Sequence, residues 1–273
     1  MKLNLAFWKL IFLLCFLFTN QLFFAQNKEI TLNDSTVIGI VEKKSEKDKI
    51  NDILLPYGWI DYNAEYYTVD AKNSYLDHHF IYQPYLSKDQ VFQIELGLVN
   101  TFTDAQQYFS PSDLDITYQR NITPKNKKDV GYVGMIAIAK LTIPTGREEY
   151  FSGSDNWAFE PQVGAQWSVF NPDWLISGIL RYRYHFATLP EKSLANNYVR
   201  VESFFGFEND KFWIFGSPDY RYTPKTSKSN LFFSALVGYK FSRQFIIKGS
   251  YKPRLEGNDF YRSMLSFGFT LFF

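Results

Sequence analysis

The side chains of this sequence that could do chemistry come in alternating runs. Arg181, Arg183 and His185 stand two apart, as do Asp113 and Asp115, and Arg200 and Glu202. Glu95, Glu160 and Glu208 add acids, and Lys140, Lys248 and Arg262 add bases, within stretches of the same texture. A spacing of two is the repeat of an extended strand, whose side chains point to opposite faces in turn, so each such set shares one face. The residues between them are apolar. Leu180, Tyr182, Tyr184 and Phe186 interleave with the Arg181 set. These strands therefore carry charge on one side and hydrocarbon on the other.

That pattern argues for a polar interior more than for a reaction centre. Only three histidines occur, His78, His79 and His185. His78 and His79 follow Asp77, in what reads as the end of a long loop. As neighbours they would point to opposite faces of any strand, which disfavours a shared metal site. The single cysteine, Cys15, lies in an apolar leader, so thiolate chemistry and disulfides are not expected in the mature chain. No metal or other cofactor is expected. The formal net charge of +1 implies no field strong enough for nucleic acid.

The elements that must position these residues follow from the rest of the chain. Lys2 and Lys9 precede the apolar run 10–18, and Ala25 precedes Gln26; this describes a secretory signal peptide cleaved after residue 25. Residues 26–57 include a segment dense in Lys, Glu and Asp and are read as a periplasmic arm or partial plug. From 58 to 273 the texture is period-2 alternation. In 156–170, Trp157, Phe159, Val163, Ala165, Trp167 and Val169 oppose Asn156, Glu160, Gln162, Gln166 and Ser168. At the end of the chain Tyr261, Leu265, Phe267, Phe269, Leu271 and Phe273 oppose Arg262, Ser266, Gly268 and Thr270. A helical period cannot produce such lists. Aromatic residues make up 19 % of the chain while mean hydropathy is −0.24, as strands with one apolar and one polar face require.

About twelve strands are predicted, over 58–69, 79–86, 91–101, 112–122, 130–143, 156–170, 174–187, 197–208, 211–222, 230–241, 244–253 and 260–273. Short turns such as Asn209-Asp210 and Ser242-Arg243 alternate with longer connections such as 144–155 and 188–196. The fold class is thus all-β: a closed antiparallel transmembrane barrel in the bacterial outer membrane, with periplasmic turns and extracellular loops. Its partners are outer-membrane lipid and a small-molecule solute. The terminal Phe273 is similar to the aromatic ending that the barrel assembly machinery reads in outer-membrane proteins.

The middle of the chain reads Leu141-Thr142-Ile143-Pro144-Thr145-Gly146-Arg147, then Gly153-Ser154-Asp155-Asn156-Trp157, Glu160-Pro161-Gln162-Val163-Gly164 and Gly178-Ile179-Leu180-Arg181-Tyr182-Arg183, preceded by Ser112-Asp113-Leu114-Asp115-Ile116. This order resembles the barrel family named for the meta-pathway of phenol degradation, and it covers residues 112–187. The resemblance implies an outer-membrane transporter for small compounds, hydrophobic or aromatic ones included. The signal-peptide ending also resembles those of Bacteroidetes-type bacteria.

The candidate lumen and selectivity residues are Asp113, Asp115, Glu160, Arg181, Arg183, His185, Arg200, Glu202 and Arg262. Glu160 is expected beside the arginine pair. Asp113 and Asp115 are expected opposite it across the lumen, since three strand spacings separate them by about 14 Å along the sheet. Two readings of the lumen stay open: a selective channel, or a salt-bridged, plugged structural or adhesion barrel whose loops bind partners. An outer-membrane phospholipase would need a His and a Ser adjacent in space. No serine stands two residues after His79 or His185, so the chain is not expected to be an enzyme.

Overall fold

A computed structural model describes residues 58–273, apart from residues 88 and 172 and the segments 104–105, 124–130, 148–151, 187–196 and 259–260. The expected signal peptide and N-terminal arm, the connection at 124–130 and the loop 188–196 lie outside the described residues. The described chain is almost entirely strand: β1 (Trp59–Thr68), β2 (Ser74–Gln83), β3 (Tyr85–Ser87), β4 (Gln90–Phe102), β5 (Gln107–Pro111), β6 (Leu114–Asn121), β7 (Gly131–Ile143), β8 (Trp157–Ser168), β9 (Trp174–Phe186), β10 (Tyr198–Glu208), β11 (Phe212–Thr223), β12 (Lys228–Lys240), β13 (Phe245–Glu256) and β14 (Ser263–Phe272).

Two interruptions turn twelve barrel strands into fourteen elements. Pro84, which has no N–H to donate, separates β2 from β3, and both pair with β4. Ser112 and Asp113 separate β5 from β6, which share β4 as partner on either side of the break. Each strand is antiparallel to the next, and β14 returns to β1 with partners running from Trp59↔Phe272 to Thr68↔Ser263. The pairing of β2 with β4 completes the circuit, so the sheet closes as a twelve-stranded barrel. Every ladder hydrogen bond is then made within the wall, which is what hydrocarbon demands. Phe273 extends the seam. Its N–H donates to the Gly58 carbonyl at 3.1 Å and its ring stacks on Tyr82 at 6.2 Å.

The outer face is predominantly apolar. Trp157, Phe159, Val163 and Trp167 of β8 are exposed, while Ala158, Glu160, Gln166 and Ser168 are buried. Around the short-turn end, rings follow one another from strand to strand: Tyr132 on Trp167, Phe170 on Trp174, Trp174 on Phe205, Phe207 on Phe212, and Phe241 on Phe245. Such a girdle suits a membrane interface, where an amphipathic ring meets both lipid and headgroup.

Two readings of the sequence need correction. The second strand begins at Ser74, so His78 and His79 lie in mid-strand and not in a loop. Alternation runs unbroken through the polar stretch. Asp77 and His79 line the interior, and Phe80 is exposed outside. The side chain of His78 is held by the Tyr62 hydroxyl, 2.8 Å from Nδ1. Polar residues deceived the reading because a lumen face accepts charge as readily as a loop does. At the other seam strand, Tyr261 is buried and lines the interior, whereas Arg262 is exposed. Regular strand starts only at Ser263, and the bend at 262 shifts the alternation by one residue.

The face assignment is testable. Leu180 is 49 % exposed and pairs with outward Val163 and Val201. Leu180→Arg is expected to destabilise the barrel by about 2–4 kcal/mol in urea refolding into lipid, as a cation does near the midplane. Ser266→Arg, on the inner face opposite Glu65, is expected to cost under about 1 kcal/mol. A larger loss for Ser266→Arg than for Leu180→Arg would invert the assignment.

The charged lumen as candidate functional site

The inner face encloses a cavity of about 1600 Å3 whose charged lining is sorted by strand. The carboxylates Glu65, Asp77, Glu95, Asp113 and Asp115 come from β1, β2, β4, the β5–β6 link and β6, and no lysine or arginine from these elements joins them in the lining. The cations Arg181, Arg183, Arg200, Arg221, Lys228, Lys248 and Lys252 come from β9 to β13, with Glu202 as the one carboxylate among the described residues lining that side. One half of the wall is therefore acidic and the other basic.

Neither half leaves its charges without partners, because a low-dielectric tube penalises an isolated ion heavily. On the acidic side His79 lies 3.0 Å from Asp77, 2.7 Å from Glu95 and 3.7 Å from Glu65. Lys140 of β7 closes the acidic run, 2.6 Å from Asp115 and 3.7 Å from Glu95. On the basic side two carboxylates hold four cations. Glu202 pairs with Arg181 at 2.7 Å and Arg200 at 2.9 Å. Asp219, fully buried behind them, pairs with Arg200 at 2.8 Å, Arg221 at 2.9 Å and Lys252 at 2.5 Å. Arg221 also lies over the Phe232 ring, 4.9 Å from its centroid. At the seam, Lys248 bonds Asp61 at 2.6 Å.

Of the residues singled out by sequence, Asp113, Asp115, Arg181, Arg183, His185, Arg200 and Glu202 all line the cavity. Glu160 is buried in the wall beside them, 3.7 Å from Arg183 and bonded by Gln162 at 2.8 Å. Arg262 is exposed and does not line the cavity, for the reason given above. The expectation that the acidic pair faces the arginines across the lumen is also corrected. Arg183 donates to the Thr142 hydroxyl at 3.2 Å, which itself donates to Asp115 at 2.5 Å, so the two ends of the ladder join along the wall through β7. The sequence reading missed Asp61, Glu65, Asp77, His79, Asp219, Arg221 and Lys252. Asp219 and Arg221 show the same spacing of two that revealed Arg181 and Arg183, and counting parity through β11 would have found them.

Asp113 has a separate task. Its carboxylate accepts from the Gly146 N–H at 3.1 Å, the Ser154 N–H at 2.9 Å and the Ser154 hydroxyl at 3.0 Å. Thr145 donates to the Ser112 carbonyl at 2.5 Å, and Ser152 bridges to Ser110 at 3.1 Å. A Cβ on Gly153 would run into the Asp113 carboxylate, and one on Gly146 into the Ser152 carbonyl. The Pro-Thr-Gly and Gly-Ser segments are thus the two ends of one loop, tied down over the acidic side of the lumen by Asp113. Among the described residues, no group of three or more His, Cys, Asp or Glu is arranged to hold a metal ion.

A closed barrel with an apolar outer band, an aromatic girdle and a charged interior is the architecture of proteins of the bacterial outer membrane. Within that class, the chain belongs to the family described as "Putative MetA-pathway of phenol degradation", whose model matches residues 50–264. No curated protein matches the chain in sequence. Among solved structures it is similar to the COG4313 outer membrane channel from Pseudomonas putida F1, with 10 % identity, a TM-score of 0.64, and 80 % of this chain and 96 % of that chain covered. It is also similar to a KdgM porin, with 12 % identity, a TM-score of 0.50, and 79 % and 99 % covered. At these identities the likeness establishes the shared fold.

The loop anchor predicts a local phenotype. Asp113→Ala removes the acceptor for three donors, and trypsin cleavage at the exposed Arg147 is expected to rise about tenfold or more, as local opening replaces a closed loop. The barrel itself is expected to keep its resistance to unfolding in detergent. Unchanged cleavage at Arg147 would show that the loop is held by something else.

Proposed function

We propose that this barrel is a channel that passes small solutes, hydrophobic and aromatic compounds among them, and that its sorted charges screen what enters. The observation that supports this most is the cavity with carboxylates on β1 to β6 and cations on β9 to β13. Opposed half-walls set up a field across the lumen, perpendicular to the direction of passage. A field of that kind orients dipolar solutes and separates ions by sign. The pairs within each half hold the side chains against the wall and keep them from collapsing inward, so rigidity and passage are compatible.

The competing reading, a plugged structural barrel, draws on the same pairing: buried ions fix a wall in one conformation whether or not anything crosses it. The two readings part on one double mutant. Arg181→Gln with Arg183→Gln removes two cations from the basic half-wall while Arg200 and Lys252 remain on Glu202. Reversal potentials in planar bilayers are expected to shift toward cation selectivity, with thermal unfolding moving by only a few degrees. Unchanged selectivity with a large loss of stability would leave a salt-bridged structural barrel.

A further inference from the structure

The lumen is not polar along its whole depth. Towards the short-turn end, β9 to β12 turn apolar side chains inward. Leu175, Trp213 and Phe215 pack together as a buried cluster, with Phe204 and Leu236 against it. The ladders fix the order. Glu202 pairs with Asp219, and further down the same strands Gly206 pairs with Phe215, Phe215 with Leu236, and Trp213 with Gly238. Phe204, Trp213 and Leu236 line the same cavity as Arg181, Arg200 and Lys252. An apolar floor thus lies directly below the cationic half-wall.

Glycine makes room for the floor. A Cβ on Gly238 would run into the Trp213 indole, and one on Gly206 would meet the Phe215 ring at 2.7 Å. Both rings therefore pack where the wall carries no side chain. Two donors in this region have no partner among the described residues: Nε1 of Trp213, a residue 95 % buried, and Nε of Arg181. Buried N–H groups left without an acceptor are costly and call for one. The charge balance has the same sense, since Arg181, Arg200, Arg221 and Lys252 outnumber Glu202 and Asp219.

We propose that this stretch of wall is a binding site for organic anions with a flat apolar body, arylcarboxylates being the simplest. The carboxylate would take the excess cationic charge and the free Arg181 N–H. The ring would lie on the floor of Phe204, Trp213 and Leu236. The proposal rests on the channel reading in that it names the class of solute held during passage, and it is tested without relying on conduction.

The test is calorimetric titration of the full-length barrel in detergent with four probes: benzoate, acetate, phenol and benzylammonium. Benzoate is expected to bind at least about tenfold more tightly than acetate, which lacks the ring, and than phenol, which lacks the charge, with no binding of benzylammonium. Leu236→Ser with Trp213→Ala is expected to bring benzoate down to the level of acetate. Should that variant fail to fold, the four-probe series on the unaltered protein decides alone. Equal binding of benzoate and acetate would overturn the apolar floor as a site, and equal binding of benzoate and phenol would overturn the role of the cations. A barrel that conducts but does not bind benzoate overturns this proposal alone. One that binds benzoate but never conducts overturns the channel reading alone.

Discussion

Lipid offers no hydrogen bonds, and the rest of this structure depends on that constraint. A sheet in hydrocarbon must satisfy every backbone group within itself, so β14 has to return to β1. Closure decides the composition of both faces. The outer one must be apolar, which explains a wall of Phe, Tyr, Trp, Leu and Val on a chain of ordinary hydropathy. The inner one faces a tube of twelve strands, wide enough to hold a cavity of about 1600 Å3, and its side chains reach neighbours two strands away along the wall.

A second constraint acts inside the first. Charges in that tube are partly desolvated, and each must find a counter-charge or hydrogen-bonding partners. The solution here is local within each half-wall: His79 and Lys140 among the carboxylates, Glu202 and Asp219 among the cations. Pairing each half with its own minority of opposite ions leaves an excess of one sign on each side. The wall is rigid because the ions are paired, and the lumen is polarised because they are paired unevenly. Asp113 links the wall to its rim. The same acid that contributes to the negative side pins the loop between β7 and β8.

Much of this was legible from the alternation alone, and the exceptions have physical causes. The faces of β8 and β9 follow from the spacing of Trp157, Phe159, Arg181 and Arg183, because a buried polar face and an apolar one cannot exchange without inverting every side chain. The strand through Asp77, His78 and His79 resembles a loop in sequence because polarity usually marks solvent, and a lumen breaks that link. Parity places Arg262 inward, and parity fails wherever a bend inserts between the counted residue and the strand. The identity of ion partners was not legible at all. Arg183 reaches past β8 to Thr142, a contact set by the curvature of the closed sheet and by side-chain length, and neither is written in one strand. The apolar floor escaped for the opposite reason: Leu175, Phe204 and Trp213 occupy polar-face positions, so they look like lapses in the pattern until closure brings them together.

The central claim is that this paired, polarised lumen is an open path through the membrane. Single-channel recording of the purified, unmodified protein in planar bilayers tests it most directly. The account predicts discrete, reproducible openings of one unit size in symmetric salt, present in every preparation that shows the folded barrel. Persistent electrical silence from barrels shown to be folded and inserted would contradict it and leave a closed structural wall.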